Sequence, residues 1–91
     1  MSELLIGRIV AVAETAGARA PSFLVTVDLG AHGREELVLS TGEYAPAELE
    51  GAQVLCRRDA GEARLAAAHS HGKGLVLLRP DREVEDGTLV D

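Results

Sequence analysis

Apolar residues recur along this chain in short blocks separated by glycine, proline or charge, a rhythm that suits brief strands better than amphipathic helices. The run from Leu4 to Val12 predicts a long first strand, with Gly7 the expected site of a bulge that lets it curve. Phe23, Val25, Val27 and Leu29 fall on one face of the next segment, while Leu24, Thr26 and Asp28 take the other. That alternation marks a half-buried strand. Gly30 and Gly33 bracket a turn into a third strand from Glu36 to Ser40, which completes an antiparallel meander.

The helical signal is short and well punctuated. Pro46 suits a first helical position, Ala47, Glu48 and Leu49 follow, and Gly51 ends the turn. Gln53 to Arg57 and Ala63 to Ala68 then read as strands on either side of a turn at Asp59 to Glu62. Leu75 to Leu78 reads as a fully buried strand ended by Pro80. Gly87 is expected in a turn that packs Leu89 and Val90 back against the body of the protein. There is no internal repeat, low-complexity linker or second apolar pattern, so the expectation is one all-β domain over residues 1–91.

Composition narrows the core and the partners. Phe23 and Tyr44 are the only aromatics, so the core must be built from Val, Leu, Ile and Ala. Fifteen acidic residues against nine basic ones leave a net charge of −6, the wrong sign for a protein that grips phosphates non-specifically. The single cysteine, Cys56, has no partner for an internal disulfide, and no charged segment followed by an apolar run and a cleavage site opens the sequence. Both favour a cytoplasmic protein. No apolar run approaches the roughly 20 residues that span a bilayer, so no membrane role is expected.

Ile6-Gly7-Arg8-Ile9-Val10, Ala18-Arg19-Ala20-Pro21, Val27-Asp28-Leu29-Gly30, Gly42 to Gly51 and Leu77-Leu78-Arg79-Pro80-Asp81, taken in that order, resemble segments of the tRNA-binding domain family, small OB-fold modules found on some aminoacyl-tRNA synthetases, on free-standing tRNA-binding proteins and in the CsaA-type secretion chaperone. Ile6-Gly7-Arg8-Ile9-Val10 resembles the family's opening strand, and Val27-Asp28-Leu29-Gly30 the end of its second. Ala18-Arg19-Ala20-Pro21 is similar to the loop of CsaA-type members. Gly42 to Gly51 resembles the tyrosine, proline and leucine segment before strand four, and Leu77-Leu78-Arg79-Pro80-Asp81 the late leucine, leucine, variable, proline, aspartate signature. The resemblance implies a five-stranded OB-fold Greek-key barrel whose short helix, between strands three and four, plugs one end. It also implies tRNA or other structured RNA as ligand, and a homodimer. After strand four the chain departs from the family: the interval Cys56 to Ala63 is several residues shorter and lacks the family's proline and serine, leaving Arg57, Arg58 and Glu62 as its echoes.

An RNA site of this type would use Arg19, Tyr44, Arg57, Arg58 and Arg64. Stacking would contribute roughly 1–3 kcal/mol per aromatic platform, but Phe23 has the phase of a core residue. Tyr44 is either a packing residue beside the helix or a ligand contact. Arg8, Arg19, Arg57, Arg58, Arg64 and Arg79 either cluster on one face or scatter as solvated side chains. The order of the motifs favours a non-catalytic RNA-binding module with a weakened surface; the shortened loop and the acidic charge favour the alternative, an OB domain that binds a protein or unfolded chain and has given up RNA.

Other chemistry is thin. His69 and His71 could flank a metal with His32 or Asp59, but they lead into the turn-forming Gly72-Lys73-Gly74, so no metal or other cofactor is expected. Cys56 lacks an orienting partner for nucleophilic work and reads as a strand cysteine in the interior. Asp81, Glu83, Glu85, Asp86 and Asp91 read as a solvated acidic edge. Nothing here specifies an enzyme.

Overall fold

The computed structural model describes residues 2–15, 22–39, 44–72 and 74–91. Its strands are β1 (Ser2–Glu14), β2 (Phe23–Asp28), β3 (Arg34–Leu39), β4 (Gln53–Asp59), β5 (Glu62–Leu65), β6 (Ala67–Ser70), β7 (Gly74–Leu77) and β8 (Leu89–Val90). A short helix, α1 (Pro46–Leu49), separates β3 from β4, and a 3-10 turn over Gly30–His32 separates β2 from β3. The main sheet runs β3-β2-β1-β4-β5, all neighbours antiparallel, and curls into a nearly closed barrel. This is the OB arrangement expected from the sequence. Three short strands are added to it: β6 and β7 form a hairpin, and β8 pairs with β1.

β1 is the element on which the barrel turns, because its two ends use different neighbours. Its C-terminal part pairs with β2, and its N-terminal part pairs with β4 on one edge and β8 on the other. Gly7 is not the bulge. The pairing of β1 with β2 slips between Ile9 and Ala11, so Val10 is the extra residue. Gly7 faces inward between Leu5 and Ile9, where a Cβ would lie 2.5 Å from Val27 Cγ1 and 2.8 Å from Leu29 Cδ2. Its lack of a side chain leaves that space to the Val27 and Leu29 side chains of the adjacent segment.

The predicted alternation of β2 holds throughout: Phe23, Val25, Val27 and Leu29 are all buried. They meet Leu5 and Ile9 of β1, Leu39 of β3, Val54 and Cys56 of β4, and Leu77 of β7. Leu49 of α1 is fully buried in the same cluster, so the helix closes the barrel with one side chain. The late strand is less buried than its run of leucines predicted. Leu75 and Val76 are half-buried and Leu78 is exposed, because β7 lies on the barrel's flank, with Leu77 alone of these residues fully inside.

The C-terminal segment docks where Gly30 meets Gly87. Both have positive φ, 63° and 90°, and a Cβ on either would overlap the other segment's backbone, at the carbonyl of Asp86 or of Leu29. Only glycine serves on both counts. The Gly87 N–H donates to the Ile6 carbonyl at 2.6 Å and the Ile6 N–H to that of Thr88 at 2.8 Å, continuing the sheet into β8. Leu89 and Val90 thus return to the barrel as predicted.

Candidate binding groove

The arginines divide into two sets. Arg8 is engaged by the C-terminal segment: its Nε donates to Asp86 Oδ1 at 3.2 Å, its Nη1 to the Gly51 carbonyl at 2.9 Å, and its Nη2 to Glu83. The bond to Glu83, and then Asp86, hold its pKa above the ordinary value against the opposing effect of desolvation. Buried Gln53 joins the same cluster, donating to the Val84 carbonyl at 2.6 Å and Asp86 Oδ1 at 2.8 Å, and accepting from the Val84 N–H at 3.0 Å. Glu83 and Asp86 are therefore a clamp on β1 rather than the solvated edge their sequence suggested. The bond to exposed Glu83 adds little, and Gln53 and the glycine contact hold the segment more firmly.

Arg58 is likewise internal to the structure. It donates to Glu3 Oε1 through Nη2 at 2.6 Å, and the same Nη2 lies 3.2 Å from His32 Nδ1. That hydrogen bond and the charge of Arg58 hold the Glu3 carboxyl below its usual 4.5. The arrangement ties β4 to β1 and to the 3-10 turn.

Arg57 points the other way, as strand alternation requires. It stands directly across from Arg64, and on its other side across from Leu4, so one row of side chains crosses β1, β4 and β5. Among the described residues neither Arg57 nor Arg64 has a carboxylate within 4 Å. Like charges placed opposite one another on a sheet repel, and among the described residues no carboxylate lies within 4 Å to relieve this pair. A tight turn at Ala60 and Gly61, with φ of 51° and 85°, joins the two strands and fixes their register.

The pair borders a groove of about 860 Å³ lined with Leu4, Leu55, Leu65, Leu78 and His69, and also with the acidic Asp59 and Glu62. Leu78 reaches it through the β6–β7 hairpin: the Leu55 N–H donates to the Leu78 carbonyl and the Ala66 N–H to that of Leu55, both at 2.8 Å. These leucines were not singled out in the sequence as site residues, and His69 was weighed there only as a metal ligand. Leu55 was legible as such in part, since it alternates with buried Val54 and Cys56 and shares the face of Arg57. The contribution of Leu78 depends on the hairpin's placement and had no local signal.

Of the residues expected at an RNA site, then, the fold brings Arg57 and Arg64 together and turns Arg58 away. Arg19 lies outside the described residues, as does the Ala18-Arg19-Ala20-Pro21 segment. Tyr44 packs against the core and its hydroxyl accepts the Leu77 N–H at 2.9 Å, anchoring β7. Phe23 is buried, as its phase predicted. Cys56 is fully buried, and burial pushes its thiol up to about 11. His69 lies at the end of β6, and His71 in the turn that follows. No helix among the described residues is long and apolar enough to cross a membrane.

Barrel topology and plugging helix together define an OB-fold. No family model matches the chain, and no curated protein sequence does. Solved structures do match. A chaperone CsaA from Bacillus anthracis superimposes with a TM-score of 0.85 at 26% identity, covering 99% of this chain and 91% of that one. A CsaA chaperone protein from Picrophilus torridus gives 0.85 at 21% identity, covering 99% and 92%. A MetRS-related protein from Pyrococcus horikoshii gives 0.77 at 18% identity, covering 98% and 89%. The first of these likenesses supports the CsaA-type branch, toward which the Ala18-Arg19-Ala20-Pro21 segment pointed, and the other two show the fold.

Proposed function

We propose that this chain is a non-catalytic, cytoplasmic binding module, one domain over residues 1–91, whose β4–β5 groove takes an extended polypeptide segment bearing apolar side chains and a carboxylate. The observation that carries this reading is the pair Arg57 and Arg64, without a carboxylate within 4 Å among the described residues, above a groove lined largely with leucines. A carboxylate between the guanidiniums would relieve their repulsion through charge-assisted hydrogen bonds, and apolar side chains would cover Leu4, Leu55, Leu65 and Leu78. The CsaA neighbours bear the name of chaperone, which agrees with a polypeptide ligand.

RNA is the weaker reading. No aromatic side chain lines the groove among the described residues, so a stacked base has no platform there. Arg8 and Arg58 are engaged with carboxylates of the same chain and are poorly placed to neutralise phosphates.

The test is fluorescence anisotropy with two labelled probes, bulk tRNA and a heptapeptide of alternating leucine and serine with a central glutamate. Wild type is compared with Arg57→Gln/Arg64→Gln at low and near-physiological salt. The reading predicts saturable peptide binding that the double variant weakens at least tenfold. Binding of tRNA alone, falling steeply with salt, would replace it with the RNA reading.

A further inference from the structure

Resting on the polypeptide reading, we infer that the ligand carries a cationic side chain two residues from its carboxylate, on the same face, and that both are read by the β4–β5 hairpin. Alternation places Leu55, Arg57 and Asp59 of β4 on one face, and the register sets Arg57 across from Arg64 and Asp59 across from Glu62. Ala66, just past β5, follows opposite Leu55, to whose carbonyl its N–H donates at 2.8 Å. The hairpin thus presents three rungs in order: an apolar one, a basic pair and, next to the turn at Ala60 and Gly61, an acidic pair. All six side chains line the groove of about 860 Å³.

The two charged rungs lie side by side, yet neither is spent on the other. Asp59 and Glu62 are exposed, and among the described residues neither has a Lys, Arg or His nitrogen within 4 Å, just as Arg57 and Arg64 have no carboxylate. Each rung sets like charges opposite one another, a repulsion that a bound charge of the other sign relieves. Rungs two residues apart are separated by about 7 Å along the strands, and so are alternate side chains of an extended ligand. A segment laid along β4 and β5 therefore meets both rungs with residues i and i+2. The net charge of −6 favours such a segment over a purely acidic one, which the rest of the surface repels. A phosphate backbone is anionic at every step and would meet Asp59 and Glu62 with the wrong sign.

The leucine–serine heptapeptide with its central glutamate is the parent probe. Three relatives each gain one lysine: in place of the second residue, in place of the sixth, or appended after the seventh. The first two carry it two positions from the glutamate on the same face, one for each chain direction. The third has the same net charge, with the lysine four positions away. At low salt, at least one of the first two should bind at least about threefold tighter than the third, the scale of an exposed ion pair, and the advantage should shrink near physiological salt. Asp59→Asn/Glu62→Gln should abolish that advantage while binding the parent at least as tightly as wild type does. Equal affinity of the three lysine forms, or an advantage that survives in the double variant, would overturn the acid–base match and leave the polypeptide reading standing. Failure of all four peptides to bind would overturn both.

Discussion

The C-terminal clamp and the β4–β5 groove are built from the same residue types and have opposite economies of interaction. At the clamp, Arg8 meets two carboxylates, Gln53 uses both ends of its amide, and two glycines bring backbone against backbone. At the groove, two arginines face each other with no carboxylate in reach among the described residues, and leucines stay partly open to solvent. A region that satisfies all its groups internally has nothing left to offer a ligand. Unsatisfied charge and uncovered apolar surface are what a binding site retains at some cost to stability.

This contrast breaks most sharply at the clamp. Gly30→Ala or Gly87→Ala sets a Cβ into the opposing backbone at a positive φ, and each should lower stability by at least about 3 kcal/mol in urea unfolding. Replacing Gln53 by alanine removes the partner of both the Val84 N–H and the Val84 carbonyl, for a loss of about 1–3 kcal/mol by the same measurement. Loss of no more than a few tenths in either would mean that the segment docks by β8 alone.

Protonation gives a milder test away from the groove. The depressed pKa of Glu3 contributes stability that is present above its unfolded value, near 4.5, and is lost as pH falls through its lower folded value. Cys56 works in the other direction. Its folded pKa of about 11 exceeds the ordinary 9.0, so stability should decline as pH rises from 9.0 toward 11, where the unfolded thiol ionises and the folded one does not. Thermal melts across both ranges would detect these slopes. At pH 8 a thiol reagent should label Cys56 only in denaturant, and rapid labelling of the native protein would contradict its burial.

The smallest stability effect belongs to the groove. Arg57→Gln and Arg64→Gln should each change unfolding free energy by no more than about 0.5 kcal/mol, with a slight gain favoured by relief of like charges. A larger loss would show that the pair has structural partners and would bring the two regions closer in kind.

The fold was legible because its signals are local. Alternation from Phe23 to Leu29, Pro46 ahead of Leu49, and the glycines around the turns each restrict a few adjacent residues, and their order matches a barrel. Gly7 was read as a bulge because the sequence contains the absent side chain but not the Val27 and Leu29 methyl groups that fill its place. The site was legible only in part. Arg57, Arg58 and Arg64 stood out as basic residues, yet nothing local tells which cation already has a partner.

What the sequence alone determined is the set of strands, their buried faces, the plugging helix and the sign of the net charge, all consequences of period and composition. Tertiary structure decided which charges are spent. Glu3 and Arg58 lie fifty-five positions apart and Arg8 and Asp86 seventy-eight, and only barrel closure brings them into contact. The same closure leaves Arg57 opposite Arg64 and Val38 exposed, because pairing in a sheet is set by register across the whole domain.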